Sequence, residues 1–156
     1  MTVSARTRGA VAARASGVRG RGAVAVLAAA GLAVAAAGCG ASSPDLFVLT
    51  RTGSIPGAHL TLLVNDGGTV RCNGAKRKTL PDPRLVDARN LTDGIANDAK
   101  ANLRLPTPPD SVLQFHIRSQ DGTVTFADTD AATRPELAGL VEFSRRVARN
   151  VCGLAR

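Results

Sequence analysis

Residues 1–38 read as a segment to be removed rather than folded, which confines any fold to the rest of this 156-residue chain. Residues 1–22 carry Arg6, Arg8, Arg14, Arg19 and Arg21 and no acidic side chain. Residues 23–37 are Ala, Val and Leu, interrupted only by Gly31, and Ala36, Ala37 and Gly38 then lead into Cys39. A basic stretch, an apolar stretch and small residues at a cleavage point make up a secretory signal. An ordinary core helix ending in a buried cysteine is the plainer alternative, but such a helix shows a polar face at helical spacing, and residues 23–37 show none. A membrane-spanning helix is the stronger rival. It needs about 20 apolar residues, and this run is shorter and mostly alanine. A twin-arginine signal is not supported, since Thr7 separates Arg6 from Arg8 and Gly20 separates Arg19 from Arg21.

The run Ala36-Ala37-Gly38-Cys39 resembles the lipobox of bacterial lipoproteins. That resemblance implies a diacylglycerol on the Cys39 sulfur, cleavage after Gly38, and anchorage on the extracytoplasmic side of the cell membrane. The expected organisation is a signal peptide at 1–38, the lipidated Cys39 with its tether at 39–44, and one extracytoplasmic domain at 45–156. A single acyl chain holds a protein to a membrane only marginally, whereas two hold it durably, and a diacylglyceryl thioether supplies two. The tether Gly40-Ala41-Ser42-Ser43-Pro44 reaches at most roughly 17 Å when extended. The domain is therefore expected to sit close to the headgroups.

Removing the leader changes the charge argument. The whole chain carries +8, but five of its 20 basic residues and none of its 12 acidic ones precede Cys39, so residues 39–156 carry only +3. That is a weak field for a nucleic-acid binder. The chain has no Trp or Tyr and only four Phe, which leaves almost no aromatic surface on which bases could stack. Nucleic acid is accordingly not an expected partner.

Cys39 apart, two cysteines remain, Cys72 and Cys152. An even pair outside the cytoplasm is read first as a disulfide, here closing a loop of about 80 residues and contributing roughly 4 kcal/mol. Two unpaired buried thiols are the alternative. A metal site is less favoured, because no further Cys or His lies at ligand spacing.

Hydrophobic patterning lays out the domain. Residues 45–52 alternate, with Phe47 and Leu49 on one side and Leu46, Val48 and Thr50 on the other. Residues 59–65 form a second strand with Leu60, Leu62 and Val64 facing one way, and Asp66-Gly67-Gly68 is a hairpin turn, since glycine accepts the positive φ such turns need. Thr69 to Cys72 is a short third strand and Asn73 to Lys78 a basic loop. Asp82 followed by Pro83 reads as an N-cap and first helical position. The stripe Leu85, Ala88, Leu91, Ile95, Ala99, Leu103 then predicts one helix, weakened at Gly94 and stopped by Pro106, Pro108 and Pro109. Leu113, Phe115 and Ile117, then Asp121-Gly122, then Val124 and Phe126 form a hairpin. Thr133 and Glu136 match a capping box, and Leu137, Leu140, Val141, Ser144, Val147, Ala148 and Val151 stripe a closing helix. The order predicts a two-layer α+β fold: an antiparallel sheet of four or five strands with two helices on one face. If Cys72 points to that face, it meets Cys152 at the end of the closing helix.

Catalytic patterns are missing. The sequence holds no Gly-x-Ser-x-Gly elbow, phosphate loop or His-Glu-x-x-His helix, each of which has a fixed mechanical reason for its spacing. His59 and His116 fall at strand positions and read as exposed surface. Asp128-Thr129-Asp130 could approach a calcium ion, but a turn and cap role is favoured. No catalytic residue, metal or cofactor is nominated, and an enzyme is not expected. Lys76-Arg77-Lys78 is a candidate contact for anionic headgroups, each charge being worth about 1 kcal/mol near a membrane; a solvated loop is the plainer reading. Thr61, Gln114, His116, Arg118, Thr123 and Thr125 should share the open sheet face, as plain surface or as a partner-binding one.

The Leu46–Thr52 strand, the Val112–Asp128 hairpin and the closing helix Pro135 to Cys152 resemble a family of small lipoproteins of high-GC Gram-positive bacteria. Arg51-Thr52-Gly53-Ser54-Ile55-Pro56-Gly57, Asp121-Gly122, and Pro135, Leu137 and Leu140 are similar to emfourin-type inhibitors of thermolysin-like metalloproteases. Ser54 departs from that family's glycine pair, and the anchor and cysteine pair are additions, so no inhibitory residue is carried over. The expected function is a membrane-anchored, non-catalytic binding module for an envelope protein, with protease inhibition as the alternative.

Overall fold

The computed structural model describes residues 42–154; the expected signal peptide at 1–38 and Cys39 lie outside them, as do residues 40, 41, 155 and 156. Six strands form one antiparallel sheet: β1 (Asp45–Gly53), β2 (Leu60–Asn65), β3 (Thr69–Cys72), β4 (Lys78–Thr79), β5 (Leu113–Ser119) and β6 (Gly122–Ala127). Their order across the sheet is β4-β3-β2-β1-β5-β6. The chain meanders from β1 to β4 and passes through α1 (Asp82–Gly94) and α2 (Ala96–Lys100). It returns as a hairpin on the other side of β1, and α3 (Pro135–Asn150) closes the fold. The class is α+β, as the patterning indicates.

Register explains the core. Cys72, Leu62, Leu49, Ile117 and Val124 lie in one cross-strand row, and Val70, Val64 and Phe47 in the next. All eight are buried, together with Ala88 and Ala99 from the first two helices, Ile95 at their junction, and Leu137, Leu140, Phe143, Val147 and Ala148 from α3. Every helix thus contributes to the same side of the sheet. All four phenylalanines are inside: Phe115 stacks on Phe126 at 5.0 Å between ring centres, and Phe47 meets Phe143 edge-on at 5.8 Å. Such pairs add about 0.5–1.5 kcal/mol beyond area burial.

Cys72 does face the helices, and its sulfur is bonded to Cys152 with the Cα atoms 6.0 Å apart. The bond ties the end of α3 to the third strand. Sheet, core and disulfide all lie within residues 45–152. Residues 39–156 cluster as one compact unit, separate from residues 1–38.

Several local expectations are corrected. The sheet has six strands rather than four or five, because the end of the 73–78 loop pairs with β3 as β4. Only two residues long and exposed, β4 offers no alternation to read. Asp82 is already helical, with Pro81 at the N-cap. The long helix divides at Ile95 into α1 and α2, and α2 ends at Lys100 well before the prolines. Asn102 follows with φ of 50°, a left-handed conformation that asparagine tolerates better than most residues. Residues 103–105 then run alongside β6, with the Leu105 amide donating to the Thr125 carbonyl and the Thr125 amide to that of Leu103. The Thr133–Glu136 capping box does not form. Thr133 instead closes a 3-10 turn, Asp128–Ala132, its hydroxyl donating to the Asp130 carbonyl, and Arg134 occupies the N-cap without a side-chain capping bond, its guanidinium reaching Asp98 instead. In α3, Phe143 takes a core position and Val141 is only partly buried.

Candidate functional site

β1 runs through the middle of the sheet, and its two ends differ in chemistry. At its start, the Asn65 side-chain amide donates to the Ser43 and Pro44 carbonyls and to the Asp45 carboxylate. The Asp66 amide adds a bond to the Pro44 carbonyl at 2.9 Å. Ser43 and Pro44 are thus pinned to the end of β2 and its turn. Arg77 joins Ser42, Ser43, Pro44 and Asp45 around a shallow polar hollow at this end. Asp66 also pairs with Arg89 of α1 at 2.7 Å.

Of the sequence-nominated basic run, Lys76 and Arg77 are exposed in the loop. Lys78 is engaged. Its ammonium donates to the carbonyls of Val151 and Cys152, each at 3.0 Å, where a helix leaves acceptors unsatisfied and its dipole favours a cation. The three residues therefore do not present one uniform patch. Cys39 falls outside the described residues.

At the far end of β1 stands Arg51. Phe47, Leu49 and Arg51 share a face by strand alternation, and Arg51 is only 6 % exposed. Its Nε donates to the Ala58 carbonyl at 2.9 Å and Nη2 to the Gly57 carbonyl at 3.0 Å. The guanidinium therefore braces the loop between β1 and β2 from beneath. Burial pulls its pKa below the ordinary arginine value by desolvation. The neighbouring loop closes against this one: the Ser54 amide donates to the Val112 carbonyl at 3.1 Å. A Cβ on Gly53 would stand 2.1 Å from that carbonyl oxygen, so only glycine permits the approach. Ile55 and Val112 are 41 % and 42 % exposed, two of the three large apolar residues so placed among the described residues.

Arg51, Ile55, Pro56, Leu113, Arg145 and Arg149 line a cleft of about 310 Å³ between these loops and α3. Arg145 pairs with Glu142, which also binds Arg146. These contacts hold the Glu142 carboxyl below its usual range, through the Arg146 hydrogen bond first and then Arg145. One carboxylate thus answers two arginines, and Arg149 has no ion pair among the described residues. A second cleft of about 260 Å³, between α1 and α3, is different in kind, since its Arg84 and Arg146 are paired with Asp87 and Glu142 that line the same walls.

The open sheet face is mixed: Val48 and Leu63 stand between Arg71 and Arg118 in one row, beside a polar one. Thr125, His116, Thr50 and Thr61 form one cross-strand row, with His116 Nδ1 and Thr125 Oγ1 2.9 Å apart. His59 is exposed just before β2. Asp128 accepts from the Ser111 hydroxyl and Asp130 from the Ala127 amide, which is turn and cap work. No group of three His, Cys, Asp or Glu side chains comes together among the described residues, and no helix among them is long and apolar enough to cross a membrane.

Sequence reasoning did not single out Arg51, Arg145 and Arg149 as one site. The first was within reach, because period-two alternation from Phe47 and Leu49 puts residue 51 on the core face. The meeting of a strand end with a helix's last turns requires the tertiary fold. Comparison with protein-family models, curated proteins and solved structures finds no match for the chain.

Proposed function

We propose that residues 39–156 form a lipoprotein domain, anchored through Cys39 on the extracytoplasmic side of the cell membrane, that acts as a non-catalytic binding module for an envelope protein. It needs no cofactor, and nucleic acid is not among its partners. The observation that carries this reading is the polarity of β1. Asp45, at the pinned tether, and Arg51, at the braced loop, lie six residues apart on one strand, about 20 Å at the usual rise. Ser43 and Pro44 are tied down, so only Gly40, Ala41 and Ser42 separate the lipidated cysteine from the folded surface, roughly 10 Å of chain. Such a tether turns Arg77 toward the headgroups and the Ile55–Arg149 cleft away from them.

Incorporation of labelled palmitate into the wild type and Cys39→Ala tests the anchor: the label should vanish in the variant, and equal label in both would reject it. Headgroup contact by Lys76, Arg77 and Lys78 is tested by flotation with anionic vesicles, in which K76A/R77A should bind more weakly than the wild type and K78A should behave as a stability variant.

A second reading, inhibition of a thermolysin-like metalloprotease, is favoured by one observation. Ser54, Ile55, Pro56 and Gly57, the stretch similar to emfourin-type inhibitors, stand exposed at the end opposite the tether. The soluble domain assayed against such enzymes decides it, and no inhibition at micromolar concentrations counts against it.

A further inference from the structure

The cleft at the far end of β1 combines a cationic rim with an apolar wall, and that combination specifies a ligand. Its volume of about 310 Å³ lies at the small end of the range for ligand pockets. It therefore admits one or two side chains of a larger partner rather than a whole surface. Arg145 and Arg149 are exposed on the rim, one turn apart on α3. Glu142 is shared between Arg145 and Arg146, so the rim keeps surplus positive charge. Arginine's planar fork matches a carboxylate in two parallel bonds. Ile55, Pro56 and Leu113 supply the other wall, and the exposed Val112 extends it.

We infer that this cleft binds an acidic peptide segment of the partner, a carboxylate going to Arg145 and Arg149 while an adjacent apolar side chain packs on Ile55, Pro56 and Leu113. This rests on the binding-module reading and names its contact. Membrane phosphates are disfavoured as the occupant because the cleft opens about 20 Å along the strand from the tether. The buried Arg51 has a positioning role: it holds the Gly57 and Ala58 carbonyls and thereby fixes the loop that carries Ile55 and Pro56. The neighbouring cleft between α1 and α3 offers no such site, as its own carboxylates already occupy its arginines.

The test uses the oxidised soluble chain from Gly40, labelled with nitrogen-15. It is titrated with acetyl-Leu-Glu-Leu-Glu-amide, with the same peptide carrying Gln for Glu, with inorganic phosphate and with phosphatidylglycerol vesicles. The acidic peptide should shift the amides of Ile55, Leu113 and Arg149. Affinity should fall at least about tenfold in the Gln peptide and in R145A/R149A, as expected for losing a charge-assisted bond pair. Both substitutions are at exposed helix positions, and an unchanged melting temperature verifies the fold. R149E, which reverses one charge without truncating the side chain to a methyl, should abolish binding. Equal affinity for the Gln peptide, unchanged affinity in R145A/R149A, or phosphate or vesicles saturating the same residues as tightly as the peptide would each overturn the assignment. Pull-down from envelope extracts with the full lipidated protein separates the two levels of argument. A partner retained equally by wild type and R145A/R149A refutes the cleft alone, whereas no specific partner for the wild type refutes the binding-module reading itself.

Discussion

Cutting the Cys72–Cys152 bond should cost this domain about 4 kcal/mol. The two residues are 80 apart in sequence, and a closed loop of that length removes roughly 15 cal/mol/K from the unfolded chain, or about 4.5 kcal/mol at 25 °C. Native strain or residual structure in the unfolded chain lowers that figure. For the roughly 110 residues of the domain, an unfolding entropy of about 2.1 cal/mol/K per residue converts 4 kcal/mol into a melting-point drop of about 17 °C. The assay is urea unfolding of the soluble chain from Gly40, oxidised, reduced, and as C72A/C152A. The reduced wild type and the double variant should agree to within about 1 kcal/mol. The sulfur pair acts mainly through the unfolded ensemble, and Cys72→Ala leaves only a small gap. Hydrogen exchange adds a spatial readout: amides in the last two turns of α3 should lose more protection than those of β1 and β5. A loss below about 1 kcal/mol in both forms would refute the reasoning. It would mean that native strain or residual structure in the unfolded chain cancels the loop-closure term.

Two further outcomes follow from single positions. Gly122 sits at φ of 142°, and a Cβ there would stand 2.1 Å from the Ala99 carbonyl oxygen. Gly122→Ala should therefore destabilise by at least about 2 kcal/mol, and an unchanged urea midpoint would show that α2 is not held against β6. Glu142 should titrate below the ordinary carboxylate range in a carbon-detected NMR titration, because Arg146 and Arg145 favour its ionised form. Its folded-state pKa is depressed, so its contribution is present above the unfolded value and lost as the pH falls through the folded one; Arg146→Ala should move the midpoint upward, and no movement would remove that arginine as the cause.

Much of the fold was legible because its signals are periodic. Phe47 and Leu49, Leu60 to Val64, and Phe115 and Ile117 each alternate over a strand long enough to fix a face, and a one-residue slip would have exposed the whole set. The disulfide was legible from parity, since Val70 and Cys72 share the face that α3 covers. What escaped was short or capped by tertiary partners. β4 has two residues, and its lysine is recruited by the end of α3. The capping box gave way because the Thr133 hydroxyl is used by the preceding turn. Phe143 takes a fully core position edge-on to Phe47, and Val141 packs at the margin, partly buried. The arginine cleft was illegible for a deeper reason, since its walls come from residues 51–58, 113 and 145–149, and no local pattern marks the place where three segments meet.

The two ends of β1 also differ in a way that lets them act independently. Charges at physiological ionic strength are screened over about 8 Å, and the strand separates its ends by about 20 Å. The field of Asp45 at one end is therefore faint at Arg51 and its loop at the other. A rigid central strand, hydrogen-bonded on both sides to β2 and β5, still couples the two ends geometrically: whatever fixes Asp45 fixes the direction in which Arg51 and its loop point. Energetic independence with geometric coupling has a definite consequence. Substitutions at Lys76 and Arg77 and substitutions at Arg145 and Arg149 should add in binding free energy when ligand and membrane are offered separately. They should depart from additivity only when the partner itself is membrane-held, because only then does orientation set the effective concentration of one end for its target.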